Sequence, residues 1–174
     1  MKILCVLFLL CLALCGCLAN NSAVSGGVSQ SSGNQTQTVT SKDISRLEYC
    51  DNVLRAFNDK DKNLLLDMFS SESKSLYDLD IEAENALNFF DGKIVSVDED
   101  YKISSDDMQD WRDGKLVRAN IEPTIEKIQT DKGRNYRIVF GAYLVYTQDT
   151  NKEGIMFIDI FDENNDVLSI GGCQ

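Results

Sequence analysis

Apolar residues recur along the chain at two different spacings. In residues 41–61, SKDISRLEYCDNVLRAFNDKD, Leu47, Cys50, Leu54 and Phe57 fall three or four apart, with Ile44 and Val53 beside them. That is the stripe of an amphipathic helix. Ser45-x-x-Glu48 has the form of a capping box, whereas Thr40 and Ser41 would start the helix a turn earlier. Asp61 suits the N-cap of a short helix through Leu64–Phe69. A connecting stretch, SSESKSLYDLD, leads to a third helix from Asp80 to Phe90. Its inner face is Ala83, Ala86, Leu87 and Phe90, and Asp91-Gly92 ends it.

Beyond Gly92 the period shifts towards two. KIVSVDED opens this half, and several strands follow, separated by Asp-Gly, Asp-Lys-Gly, Asn-Lys-Glu-Gly and Glu-Asn-Asn-Asp turn clusters. Between Tyr136 and Tyr146 both alternating sets are apolar. Tyr136, Ile138, Phe140, Ala142, Leu144 and Tyr146 are expected on one side, Val139, Tyr143 and Val145 on the other. Such a strand is central and covered on both faces. Helices first and antiparallel strands after make the fold class α+β, in one domain over residues 42–174. No internal repeat is visible.

The N-terminal pattern belongs to neither half. Ile3 to Ala19 is a run of 17 residues without a charged or strongly polar side chain, preceded by Lys2. A basic start, an apolar core and small residues have the layout of a secretory signal. A run of this length also sits at the short end for a spanning helix, so an uncleaved anchor is the competing reading. Leu14-Cys15-Gly16-Cys17 resembles the lipobox of bacterial lipoproteins. The resemblance implies a signal peptide over residues 1–16 and lipid attachment at Cys17, which becomes the mature N-terminus. Cys15 follows Leu14, where the pattern needs a small residue. A Cys-x-Cys metal or redox site lacks partner ligands at suitable spacing. Two acyl chains on one cysteine anchor a protein stably, where a single chain does not. Residues 17–41 then form an uncharged Ser/Gly/Asn/Thr tether, of which Leu18–Ser41 is 24 residues. Its r.m.s. span is roughly 25–30 Å.

Charge and composition narrow the chemistry. The 28 acids and 17 bases give a net charge of −11, which becomes −12 if Lys2 is removed with the signal. A surface so acidic repels phosphate backbones, so no nucleic-acid partner is expected. Histidine is absent, which excludes Ser-His-Asp and Cys-His catalysis and any imidazole zinc site.

Short helices before a long-stranded antiparallel sheet resemble the NTF2-like fold, a curved sheet wrapped around helices as a cone. The segments AFNDKDKNLLLDMFS, NFFDGKIVSVDED and IEPTIEKIQTDKGRNYRIVFGAYLVYTQDTNKEGIMFIDIFDENN carry the resemblance. They look like a family of small bacterial lipoproteins of unknown function. The resemblance implies a cone-shaped domain and an extracytoplasmic, lipid-anchored location, and it transfers no functional residues.

Asp159 is the charged residue with most chemical interest. In GIMFIDIF it is expected to share a face with Ile155, Phe157 and Phe161, where desolvation would raise its pKa and suit it to general-base work. Enzymes of this fold use carboxylates and tyrosines inside the cone, and Tyr136, Tyr143 and Tyr146 are the matching tyrosines; Asp159 and Tyr143 are the catalytic candidates. The competing reading pairs Asp159 with Arg137 or Arg118. Seven acids between Asp98 and Asp113 surround Trp111, but their spacing matches no calcium loop, and a solvated acidic loop accounts for them. Asp162, Asn164 and Asp166 begin like an EF-hand; Val167 and Cys173 stand where Gly and Glu are required, and a hairpin turn accounts for them. No metal and no cofactor is expected. Cys50 and Cys173 would remain in the mature domain, either as a disulfide or as free thiols. The function expected is a ligand- or protein-binding accessory module, with a small isomerase-, lyase- or hydrolase-like enzyme as the alternative. Its expected partners are the membrane through the lipid, an unidentified protein or small molecule, and a second copy docked through the sheet face.

Overall fold

The computed structural model describes residues 41–102 and 107–172, all within one unit spanning Thr38–Gln174. The expected signal peptide, Cys17, the tether up to residue 40, Asp106 and Cys173 lie outside the described residues. Four helices come first: α1 Ser41–Asp59, α2 Lys62–Asp67, α3 Ser71–Leu76 and α4 Leu79–Phe89. Among the described residues, none is long and apolar enough to cross a membrane. The Asp61 carboxylate accepts from Leu64 N at 3.0 Å and starts α2 where expected. Helix α3 replaces the expected link. It is too short to carry an apolar stripe, and it exists because Ser70 Oγ accepts from Ser73 N at 3.0 Å.

Seven strands follow: β1 Ile94–Ser96, β2 Met108–Arg112, β3 Lys115–Ile121, β4 Thr124–Thr130, β5 Asn135–Tyr146, β6 Gly154–Asp162 and β7 Val167–Gly171. All pair antiparallel in one sheet, so the protein is α+β. The twelve-residue β5 is its spine. Along one edge it pairs with β6. Along the other it pairs with β4 over Asn135–Val139 and then with β3 over Ala142–Tyr146. Strands β1, β2 and β7 lie outside β4, β3 and β6. Asp113 (φ 50°) and Gly114 (φ 74°) make the two-residue turn between β2 and β3, as the Asp-Gly signal predicts.

One sheet face is covered by the helices. Ile138, Phe140, Ile158 and Ile160 pack there fully buried with Cys50, Val53 and Phe57 of α1 and Phe90 after α4. Each buried large apolar side chain stabilises the fold by roughly 1.5–3 kcal/mol. Tyr136 fixes α4 to the spine: its ring stacks on Phe90 at 4.4 Å, and its hydroxyl donates to Phe89 O at 3.0 Å and accepts from Asp91 N at 2.9 Å.

Two bulges overturn the expected alternation. Opposite β3 the register passes from Tyr143 to Val145 and skips Leu144. Tyr143 and Tyr146 therefore meet with ring centroids 4.9 Å apart instead of pointing to opposite sides. Opposite β5 the register passes from Phe157 to Ile155 and skips Met156. Ile155 turns into the core and leaves the face it was expected to share with Asp159.

Gly154 opens β6 at φ 120° with the link between α2 and α3 pressed against it. An added Cβ would sit 2.8 Å from Ser70 N and 2.9 Å from Met68 O. Those groups are held in place by Ile155, whose N donates to Met68 O and whose O accepts from Ser70 N. Gly114, by contrast, has open space around it. Gly154→Ala is expected to cost roughly 2–4 kcal/mol in urea unfolding, and Gly114→Ala about 1 kcal/mol. Equal costs would contradict the clash.

Candidate functional site

The two catalytic candidates lie away from the helix-covered core. Asp159 pairs in register with Val139, whereas its neighbours Ile158 and Ile160 pair with Phe140 and Ile138 on the buried face. The carboxylate is thus on the open face of the sheet. It is half-buried between Phe157 and Phe161, and it accepts a hydrogen bond from Ser169 Oγ at 2.6 Å. Its partner is a serine, not Arg137 or Arg118. Arg137 instead lies over the Phe161 ring at 4.1 Å. Tyr143 lies further along β5, just before its bulge, against Tyr146. Of the three tyrosines, Tyr136 alone reaches the core, where it is a packing and hydrogen-bonding strut.

A polar cluster not anticipated from the sequence lies at one end of α1. Arg46 is 3% exposed and donates through Nη1 to Tyr101 O at 2.5 Å, with Asp107 Oδ2 at 3.9 Å from its Nε. Arg46 falls one turn before Cys50 on the apolar stripe, and that placement was the available signal. The Tyr101 hydroxyl donates to Asp51 Oδ1 at 3.3 Å. Burial first, and then the Asp51 charge, push the Tyr101 phenol up to about 12. Burial likewise lifts the Cys50 thiol to about 12, against the lowering effect of Arg46. At neutral pH both groups keep their protons, so the cluster holds Tyr101 and Asp107 against α1 and offers no activated nucleophile. Cys50 is a buried thiol; its expected partner Cys173 is outside the described residues.

Open depressions among the described residues include a trough on the sheet and a groove on the helices. A shallow trough of about 480 Å³ lies where β4, β5 and the β6–β7 turn meet, with Arg137, Phe161, Gln129 and Glu126 in its walls. A groove of about 380 Å³ runs between α1 and α2, lined by Glu48, Tyr49, Asn52, Asp67 and Met68. Burial, with Glu153 and Glu48 nearby, raises the Tyr49 pKa.

Among the described acids expected in a solvated loop, Asp98 and Asp110 have exposed basic partners. Asp98 pairs with Lys127 at 2.6 Å and Asp110 with Arg112 at 3.4 Å. Among the described residues no group of carboxylates and thiols is arranged to hold a metal. Trp111 is 58% exposed on β2. The EF-hand-like segment is a hairpin turn, as expected. Asp162 Oδ1 accepts from Asn164 N at 2.8 Å and Asp166 N at 3.0 Å, and Arg134 Nη2 approaches Oδ2 at 3.1 Å.

These features define an α+β domain with a packed apolar interior, a buried Arg46–Tyr101 contact at one end of α1, and both catalytic candidates outside that interior. The chain belongs to the family described as Domain of unknown function (DUF5104), whose model matches residues 52–163, from within α1 to the start of the β6–β7 turn. No curated protein matches it.

Burial opposes ionisation of Asp162, but its hydrogen bonds from Asn164 and Asp166, with Arg134, outweigh that and hold the carboxyl below its ordinary 3.8. A depressed folded pKa stabilises the fold above the unfolded value and loses that contribution as pH falls through the folded one. Asp162→Asn is therefore expected to be less stable than wild type at pH 7, with the gap narrowing below about pH 4. Parallel stability curves across that window in chemical unfolding would contradict this.

Proposed function

We propose that the chain is a lipid-anchored extracytoplasmic protein whose NTF2-like domain binds a protein or small-molecule partner at its surface. The observation that carries the reading is Leu14-Cys15-Gly16-Cys17, placed at the C-terminal end of the apolar run and ahead of an uncharged tether. An acylated Cys17 would hold the domain within roughly 30 Å of the bilayer, where a folded module acts on what is presented at that surface. The packed helix-covered face supports a binding role over interior catalysis. Asp159 and Tyr143 lie outside that interior, and the Cys50 and Tyr101 side chains keep their protons at neutral pH. The NTF2-like assignment rests on the order of the elements, helices first, and on the bulged antiparallel sheet wrapped over them.

Wild type and Cys17→Ala, compared by membrane fractionation and intact mass, test the anchor. Wild type is expected in the membrane fraction, cut before Cys17 and heavier by a lipid. The variant is expected to lose both the lipid and that cleavage. A variant that stays membrane-bound with unchanged processing would replace the lipoprotein reading with an uncleaved anchor.

A further inference from the structure

The β2 edge is the feature of the described fold whose chemistry specifies its own partner. Strand β2 ends the sheet beyond β3, and Trp111 (58% exposed) and Met108 (49%) stand on it. It carries no proline, no lysine and no bulge of its own, and its two charged residues, Asp110 and Arg112, are of opposite sign. The irregularity in the hairpin belongs to β3, where the register passes from Arg118 to Leu116 and skips Val117.

The hairpin also fixes which backbone groups are free. Arg112 and Lys115 flank the two-residue turn and pair with each other, so their N–H and C=O groups face one another. The next residue, Trp111, turns its N–H and C=O away from β3, as does Gln109 by alternation.

We propose that two copies of this chain pair antiparallel through their β2 strands, centred on Trp111. In that register Trp111 faces Trp111 of the second copy as a hydrogen-bonded pair, using the outward backbone groups. Asp110 of each copy faces Arg112 of the other, at positions where opposed side chains stand closest. Within one copy Asp110 and Arg112 already share a face, 3.4 Å apart. Pairing therefore makes a four-member square of alternating charge. The neighbouring registers, centred on Asp110 or on Arg112, place like charges directly opposite each other. The sequence of β2 is thus complementary to itself in one antiparallel register, despite a domain whose net charge disfavours self-association.

Cysteine cross-linking of the full-length chain, in whichever cell fraction carries it, tests this. Across a hydrogen-bonded antiparallel pair the Cα atoms are about 5.5 Å apart, within disulfide range. Under mild oxidation Trp111→Cys is expected to give a species of twice the chain mass, well above the yield from wild type or from Val95→Cys on exposed β1. A mixture of Asp110→Cys and Arg112→Cys, which leaves Trp111 intact, is expected to link while each alone does not. Added to Trp111→Cys, either Asp110→Arg or Arg112→Asp should lower the yield about fivefold or more, and mixing the two should restore it. Yields no higher than Val95→Cys, or a mass that fits a different protein, would overturn the proposal. So would yields indifferent to the charge reversals.

Discussion

The C-terminal end of α4 depends on groups that come from elsewhere in the chain. The helix has no basic residue in its last turn, yet its carbonyls point into the junction between the helices and the sheet. Tyr136 donates to Phe89 O, and Lys60 donates through Nζ to Leu87 O at 2.6 Å and to Phe90 O. Unpaired, such buried carbonyls would each cost about 1–3 kcal/mol. One tyrosine on β5 and one lysine between α1 and α2 thus satisfy the helix end and lock the helical half onto the sheet. Phe90 sits between them, stacked on Tyr136 and with Lys60 Nζ 5.3 Å from its ring centre. Burial lowers the Lys60 pKa.

From that junction the sheet follows. Strand β5 is paired on both edges along most of its length, so a displacement of its register would move every strand attached to it. The bulges at Leu144 and Met156 re-aim side chains at one end of β5 and β6 without breaking the sheet. They bring Tyr143 to Tyr146, send Ile155 inward and leave Asp159 on the open face. Asp159 and Tyr143 are therefore outside, while the helix-covered interior is mainly hydrocarbon and aromatic rings, with Arg46 buried beside Tyr101 at one end of α1. For a family without an assigned activity, this directs attention to the surface: the trough by Arg137, the groove by Tyr49 and the edge at Trp111.

Much of this architecture was legible in the sequence, and the rest was hidden for physical reasons. Helices α1 and α4 announced themselves because an amphipathic stripe needs several turns to repeat, and Asp61 marked α2 through a local cap. The turns were legible because Asp-Gly and Asn-rich clusters bias the backbone without tertiary help. Helix α3 was missed because six residues carry no periodicity. Asp159 does share a face with Phe157 and Phe161, but Ile155 was misplaced because strict alternation assumes an unbulged strand, and nothing local to Met156 or Leu144 signals a bulge. Arg46 was read past because its burial depends on Tyr101 and Asp107, more than fifty residues away.

The central claim is that the helix-covered face is filled by side chains and not kept open for a ligand. Phe140 sits at its middle, fully buried on β5. The most direct test is the unfolding free energy of Phe140→Ala in urea. A filled interior predicts a loss of roughly 3–5 kcal/mol, the usual cost of emptying a packed aromatic site. A loss below about 1 kcal/mol would mean that the ring lines an open cavity, and would contradict the account.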